Sequence, residues 1–228
     1  MNIYYKIQSI LRIPIPIFIK KYLKKYYGKQ SLDKKIEKFL NYRNGFYIEL
    51  GAHDGITQSN TFYYEKNKNW KGILIEPTKH IFEKCIKNRS KKNFFYNSAC
   101  VSSTFKEKKI KLTYSNLKTF SNKYLDKKLQ TDYLSKPEIY RGEKVFTFFI
   151  KAQTMNSILK DANAPKIIDF LSLDTEGSEF EVLNGIDFGV YKFRYILIET
   201  NYFNKIIMFL EKKNYKFIKK FNENDYFF

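Results

Sequence analysis

The sequence predicts an α/β fold: a mostly parallel sheet with helices on both faces. Three observations predict it. Short, near-continuous apolar runs recur at 46–50, 72–77, 167–174 and 195–199, as expected of strands buried on both faces. Stretches of helical periodicity alternate with these runs, the pattern of βαβ units. Three of the runs end on an acid, at Glu49, Glu76 and Asp174. In open α/β sheets, ligands bind beyond the carboxyl ends of the strands, where these acids would lie.

Composition narrows the class. At 228 residues the chain suits one domain, and 43% hydrophobic residues exclude global disorder. The formal net charge is +19, from 42 Lys+Arg against 23 Asp+Glu. The lysines are spread along the chain, and Asn, Ile, Tyr and Phe are abundant beside them, as an AT-rich coding sequence would produce. A solvated basic surface accounts for this charge better than a dedicated basic face. Cys85 and Cys100 are the only cysteines. They form neither a disulfide framework nor a zinc motif, and free thiols in a reducing cytoplasm are expected. No apolar run reaches the ~18 residues of a membrane span. Residues 1–5 lack the start of a signal peptide.

Residues 1–40 form a basic, aromatic N-terminal helical segment, and 41–228 the main domain. Pro14 and Pro16 break any helix near them. Residues 19–27 mix lysines with aromatics at helical spacing. A helix packing its aromatic side on the domain is preferred. The alternative is peripheral contact of residues 1–30 with the inner face of a membrane. Residues 31–40 read as a short amphipathic helix with Ser31 as cap.

The predicted order continues as strand 46–50, helix 59–66, strand 72–77 stopped by Pro77, helix 80–88 and strand 93–101. An insertion follows at about 103–150. It holds a half-exposed strand at 109–114, an unassigned polar stretch at 115–144 and a partner strand at 146–150. A helix begins at 154–159, then come strand 167–174, a turn and helix start at 175–179, strand 195–199, helix 204–212, strand 215–218 and an edge strand at 225–228.

The chemistry concentrates at the turn after the first strand. Gly51 and Gly55 let backbone approach a ligand closely. The Glu49-x-Gly51-x-x-Asp54-Gly55 pattern departs from G-x-G-x-x-G and puts acid where a pyrophosphate wants neutral or positive surroundings. That disfavours NAD. It suits a nucleoside bearing an amino acid and a sulfonium cation, of which S-adenosylmethionine is one. An acid after the second strand, Glu76, is the usual receiver of ribose hydroxyls.

The blocks 46–55 with Ser59-Asn60-Thr61, 70–77, and 168–179 with Val182-Leu183-Asn184-Gly185 resemble the FkbM-type methyltransferases, over about residues 46–200. The resemblance implies a class I, Rossmann-like methyltransferase with a mostly parallel seven-stranded sheet. It also implies S-adenosylmethionine as cofactor and O-methylation, often of sugars in natural products or surface glycans. Carried over residue by residue, Glu49, Gly51, His53, Asp54, Gly55 and Ser59 shape the methionine-side turn, and Glu76 with Pro77 the ribose side. Ala99 and Cys100 lie near adenine, and Asp174 faces the transferred methyl. Many members carry a residue similar to asparagine where this chain has His53.

The general base is assigned to Asp174 or Glu176, with His53 as runner-up because imidazole titrates near neutral pH. His80 reads as a helix-start residue. Asp174, Glu176 and Glu179 could hold magnesium, but acids favoured at a helix N-terminus explain them better, so no metal is expected. The expected partner is a small-molecule or glycan acceptor. A nucleic-acid methyltransferase is disfavoured, because Asp174-Thr175-Glu176-Gly177 stands where base-methylating enzymes carry an (Asp/Asn)-Pro-Pro-(Tyr/Phe) turn. A non-enzymatic, membrane-associated protein retaining the fold is the third alternative.

Overall fold

The structure, a computed structural model, describes residues 25–115, 117–135 and 144–228. The membrane-contact reading of residues 1–30 falls mostly outside them. Two sheets are present rather than one. The larger is mixed, with strand order β10-β11-β9-β8-β1-β2-β3. Its strands are β1 (Phe46–Leu50), β2 (Lys71–Ile75), β3 (Phe94–Tyr96), β8 (Ile167–Leu173), β9 (Lys192–Glu199), β10 (Lys219–Lys220) and β11 (Asp225–Phe227). β3, β2, β1, β8 and β9 run parallel, whereas β11 is antiparallel to both β9 and β10. The smaller sheet has the order β4-β7-β5-β6, from β4 (Ala99–Val101), β5 (Lys109–Ser115), β6 (Lys118–Phe120) and β7 (Phe146–Thr154).

Strand alternation explains the two apolar layers. Phe46, Ile48 and Leu50 of β1 face a core with α5 (Met155–Asp161), α6 (Glu179–Asn184) and α7 (Phe203–Glu211). Tyr47 faces the opposite core, with α1 (Leu32–Glu37), α2 (Phe62–Lys68) and α3 (Lys79–Asn88). Successive side chains on a strand point to opposite faces, so each core takes every second residue. Leu32, Ile36 and Leu40 are buried in that second core. The boundary expected at residue 40 therefore crosses a shared core.

Several expectations are corrected. Ser31 does not cap α1. It sits in left-handed conformation without a side-chain cap bond, and the Asp33 carboxylate instead accepts the Tyr27 N–H at 2.5 Å. Lys25, Tyr26 and Tyr27 are not helical, yet Tyr27 is buried and Tyr26 packs on Tyr63 while Lys25 stays exposed. The helix expected from residue 59 starts at Phe62, and the Ser59 hydroxyl accepts the Phe62 N–H at 3.0 Å.

The strand expected at 93–101 is broken between two sheets. Asn97 donates its side-chain amide to the Glu76 and Pro77 carbonyls at 2.8 and 2.9 Å, which ends β3. β4 then pairs with β7 instead. No strand spans 215–218. Tyr215 turns inward to accept the Phe193 N–H at 2.9 Å, and the strand β10 begins only at Lys219. β11 is not an edge, because β10 covers it. In the insertion, β5 and β7 pair antiparallel as the pattern suggested. The polar stretch holds β6 and α4 (Lys127–Ser135).

Candidate functional site

The carboxyl ends of β1, β2 and β8 meet at one edge of the larger sheet. Gly51 has φ of +73°, a region L side chains rarely enter. A Cβ there would stand 2.1 Å from the Asp174 carbonyl oxygen. The turn lies that close because Gly51 and Ala52 both donate their N–H groups to Ile75 O at 3.1 Å, while Asp174 N–H reaches Leu50 O at 3.3 Å. His53 and Gly55 also have positive φ, +47° and +79°. The Asp54 carboxylate closes the far side of the turn, accepting from Ile56 N–H at 2.9 Å and Thr57 N–H at 2.6 Å. Burial pushes the Asp54 carboxyl up, but the nearby His53 imidazole and those backbone donors outweigh it and hold it well below the usual range.

A buried cation holds this turn from behind. Arg89, the residue after α3, is 4% exposed. Its guanidinium donates to Gly55 O at 2.9 Å, Thr61 Oγ1 at 2.9 Å, the Tyr47 hydroxyl at 2.7 Å and Glu65 at 2.8 Å. It lies 3.3 Å from Glu49. The Glu49 carboxylate also accepts from Ser59 Oγ, Asn60 N–H at 2.8 Å and Thr61 Oγ1 at 2.6 Å. Glu49 sits one residue from Ile48 and so faces the Arg89 layer. Both its oxygens are engaged by the protein. Glu49 and Ser59 thus brace the turn, with Glu49 bordering only its outer side.

The cleft above the sheet edge is lined by Gly51, His53, Glu76, Pro77, Ser98, Ala99, Cys100, Asp174, Thr175 and Glu176, and roofed by Ile110, Leu112, Leu117 and Thr119 of the smaller sheet. Its cavity measures about 80 Å³ and opens to solvent. Two further recesses open from it. One runs beside Glu49, Gly51, His53, Gln58, Asn60 and Ser172. The other is bordered by Lys118, Tyr133, Gly177, Glu179, Thr200 and Asn201. Asp174 and Leu117 border all three, and Lys29 and Glu199 border the latter two. Asp54, Gly55 and Ser59 stand behind these walls rather than in them.

Glu76 is 5% exposed. Its carboxylate accepts Thr78 N–H at 2.7 Å and His53 N–H at 3.0 Å. Burial pushes the Glu76 carboxyl up, against those bonds. Burial together with Glu199, Glu176 and Glu179 pushes Asp174 well above the carboxylate range, opposed by Lys29. Burial raises Glu176 to about 7, against Lys118 and a hydrogen bond with Tyr133. Glu176 itself holds a φ of +51°, a conformation that non-glycine residues adopt mainly where surroundings enforce it.

Glu179 is occupied. Its Oε1 accepts Gly177 N–H at 2.8 Å and Thr175 N–H at 3.2 Å, and its Oε2 accepts Thr200 Oγ1 at 3.2 Å. Among the described residues, no group of three or more His, Cys, Asp or Glu side chains has metal-holding geometry. Among the described residues, His53 Nδ1 and Ser98 Oγ are buried at the cleft without a hydrogen bond, although His53 Nδ1 lies 3.7 Å from the Asp54 carboxylate.

Sequence reasoning missed Glu199 and Lys29. Glu199 ends the apolar run of β9 as Asp174 ends that of β8, so the strand-end signal was present. Lys29 bonds Glu199 at 2.9 Å across 170 residues, and nothing local announces that. Lys118 and Tyr133 came from the stretch that carried no readable period. His80, second in α3, packs edge-on against Tyr114 as a helix-start residue outside the cleft lining.

These features define an α/β protein with an acid-ringed cleft at the carboxyl ends of parallel strands. A family model, Methyltransferase FkbM domain, matches residues 49–217. The chain belongs to this methyltransferase family. No curated protein matches it. Among the described residues, no helix is long and apolar enough to cross a membrane.

Proposed function

We propose that the chain is a class I, S-adenosylmethionine-dependent O-methyltransferase acting on a sugar hydroxyl of a glycan, nucleotide-sugar or natural product. The observation that carries this reading is the junction at Asp174, where the cleft, the glycine turn and a polar recess meet. The residues fit the cofactor. The Gly51–His53 turn lines the cleft where the methionine end would lie, Glu76 offers a buried carboxylate for a cis-diol, and acidic side chains ring the place a sulfonium would occupy. When bound, S-adenosylmethionine would supply an electrophilic methyl group.

In this reading Glu76 receives ribose hydroxyls, Ala99 and Cys100 flank the base with Pro77, and the Gly51–His53 backbone borders the methionine end. The polar recess beside Lys118, Tyr133 and Asn201 receives the acceptor. With the cofactor bound, the acceptor hydroxyl would take its methyl and give up its own proton to a carboxylate. Glu176 or Asp174 takes that proton. A base works best with its pKa near the operating pH and is worth typically 10²–10⁴-fold. A carboxylate ring repels phosphate backbones, which argues against a nucleic-acid substrate.

Calorimetric titration tests the cofactor. Glu76→Ala is expected to abolish S-adenosylmethionine binding, while Asp174→Ala and Glu176→Gln keep most of it and lose turnover. Normal binding by Glu76→Ala would show that the ribose lies elsewhere. A donor-saturated screen of glycan and nucleotide-sugar acceptors, read by labelled methyl transfer, identifies the acceptor.

A further inference from the structure

The smaller sheet has two unlike faces. Ile110 and Leu112 of β5 face inward and roof the cleft. The opposite face carries Lys109 and Lys111 of β5 beside Phe149 and Lys151 of β7, with Lys109 paired to Lys151 and Lys111 paired to Phe149. All three lysines are exposed, and Phe149 is 66% exposed, the most exposed large apolar side chain among the described residues. β5 and β7 are the central pair of this sheet, so this is a broad face and not an edge.

Two features of this face are unfavourable in the isolated protein. Directly opposed side chains stand about 5 Å apart at Cβ, and like charges at that spacing repel. Among the described residues, none of the three lysines forms an ion pair. The phenyl ring of Phe149 meanwhile leaves most of its surface in water. A partner that is anionic and apolar at once relieves both costs.

We propose that this face docks on an anionic lipid bilayer surface, with Phe149 entering the interface and Lys109, Lys111 and Lys151 at the headgroups. An apolar side chain ringed by lysines is the arrangement that interfacial binding favours. Point-charge lysines suit a diffuse headgroup layer, whereas recognition of individual phosphates favours the arginine fork. This proposal does not depend on the cofactor reading.

Flotation of the full chain with phosphatidylcholine vesicles, with and without 30% phosphatidylglycerol, tests it. Binding is expected to the anionic vesicles only and to fall in 0.5 M salt. Replacing all three lysines by glutamine is expected to weaken it about 100-fold, from roughly fivefold per lysine. Phe149→Ser is expected to weaken it about tenfold. Unchanged near-ultraviolet dichroism shows that the variants remain folded, which the exposure of all four positions favours. Vesicle binding that is absent, or undiminished in the variants, overturns the proposal. So does a triple variant that keeps vesicle binding but loses affinity for a single-stranded oligonucleotide, which would make the face a nucleic-acid surface.

Discussion

Gly51 shows how narrow the tolerance is at single residues in this site. Its positive φ and the 2.1 Å approach of the Asp174 carbonyl leave no room for a side chain. Gly51→Ala is expected to cost at least about 2 kcal/mol in urea unfolding, and to displace Asp174 from its place at the junction. Glu176 carries the clearest pH signature. Burial raises its carboxyl from 4.5 to about 7, so the folded state binds its proton more tightly than the unfolded chain does. The stability it contributes is full below about pH 4.5 and is lost as pH rises through about 7. Glu176→Gln is expected to flatten unfolding free energy across that window. If Glu176 is the base, wild-type turnover rises with pH through the same range, and that rise disappears in Glu176→Gln.

Among the elements, α3 contributes most to the turn, through the arginine that follows it. Arg89 pairs with Glu49 and Glu65 in a layer that excludes water. Removing one partner of such a network leaves the others as uncompensated buried charges, at a cost of about 3–5 kcal/mol. Arg89→Met is expected to lose that much in denaturant titration and to weaken cofactor binding, although Arg89 does not line the cleft. A milder test lies at α5. Thr154 Oγ1 accepts Ser157 N–H at 3.1 Å and caps that helix, so Thr154→Ala is expected to cost about 1 kcal/mol. The break between β3 and β4 matters differently. Asn97 turns the chain from the larger sheet into the smaller, and this puts Ala99 and Cys100 over the cleft.

For the whole molecule, charge is the dominant global term. A net charge of +19 works against compactness by self-repulsion. Raising salt from 0.05 to 0.5 M shortens the screening length, and the melting temperature is expected to rise across that range. The same charge keeps basic faces hydrated, and the smaller sheet exposes lysines that form no ion pair among the described residues. The two sheets share one cleft, since the roof residues Ile110 and Leu112 come from β5 and the floor from β1, β2 and β8. The insertion is therefore part of the site and not an ornament on it.

The sequence by itself determined the parallel strands, because apolar runs bounded by turns and acids are local patterns that burial on both faces imposes. It also placed Gly51, Glu76 and Asp174 at one edge of the sheet, where they line the same cleft, since a strand end places its acid without help from distant chain. The particular roles needed the tertiary structure. Glu49 sits at a strand end like Glu76, yet the two-residue alternation of β1 turns it toward Arg89 and away from the cleft. Lys29 reaches Glu199 across 170 residues. The split of residues 93–101 between two sheets follows from hydrogen bonds that Asn97 makes to the chain after β2. Each of these depends on which segments pack together, and periodicity along one segment carries no record of that.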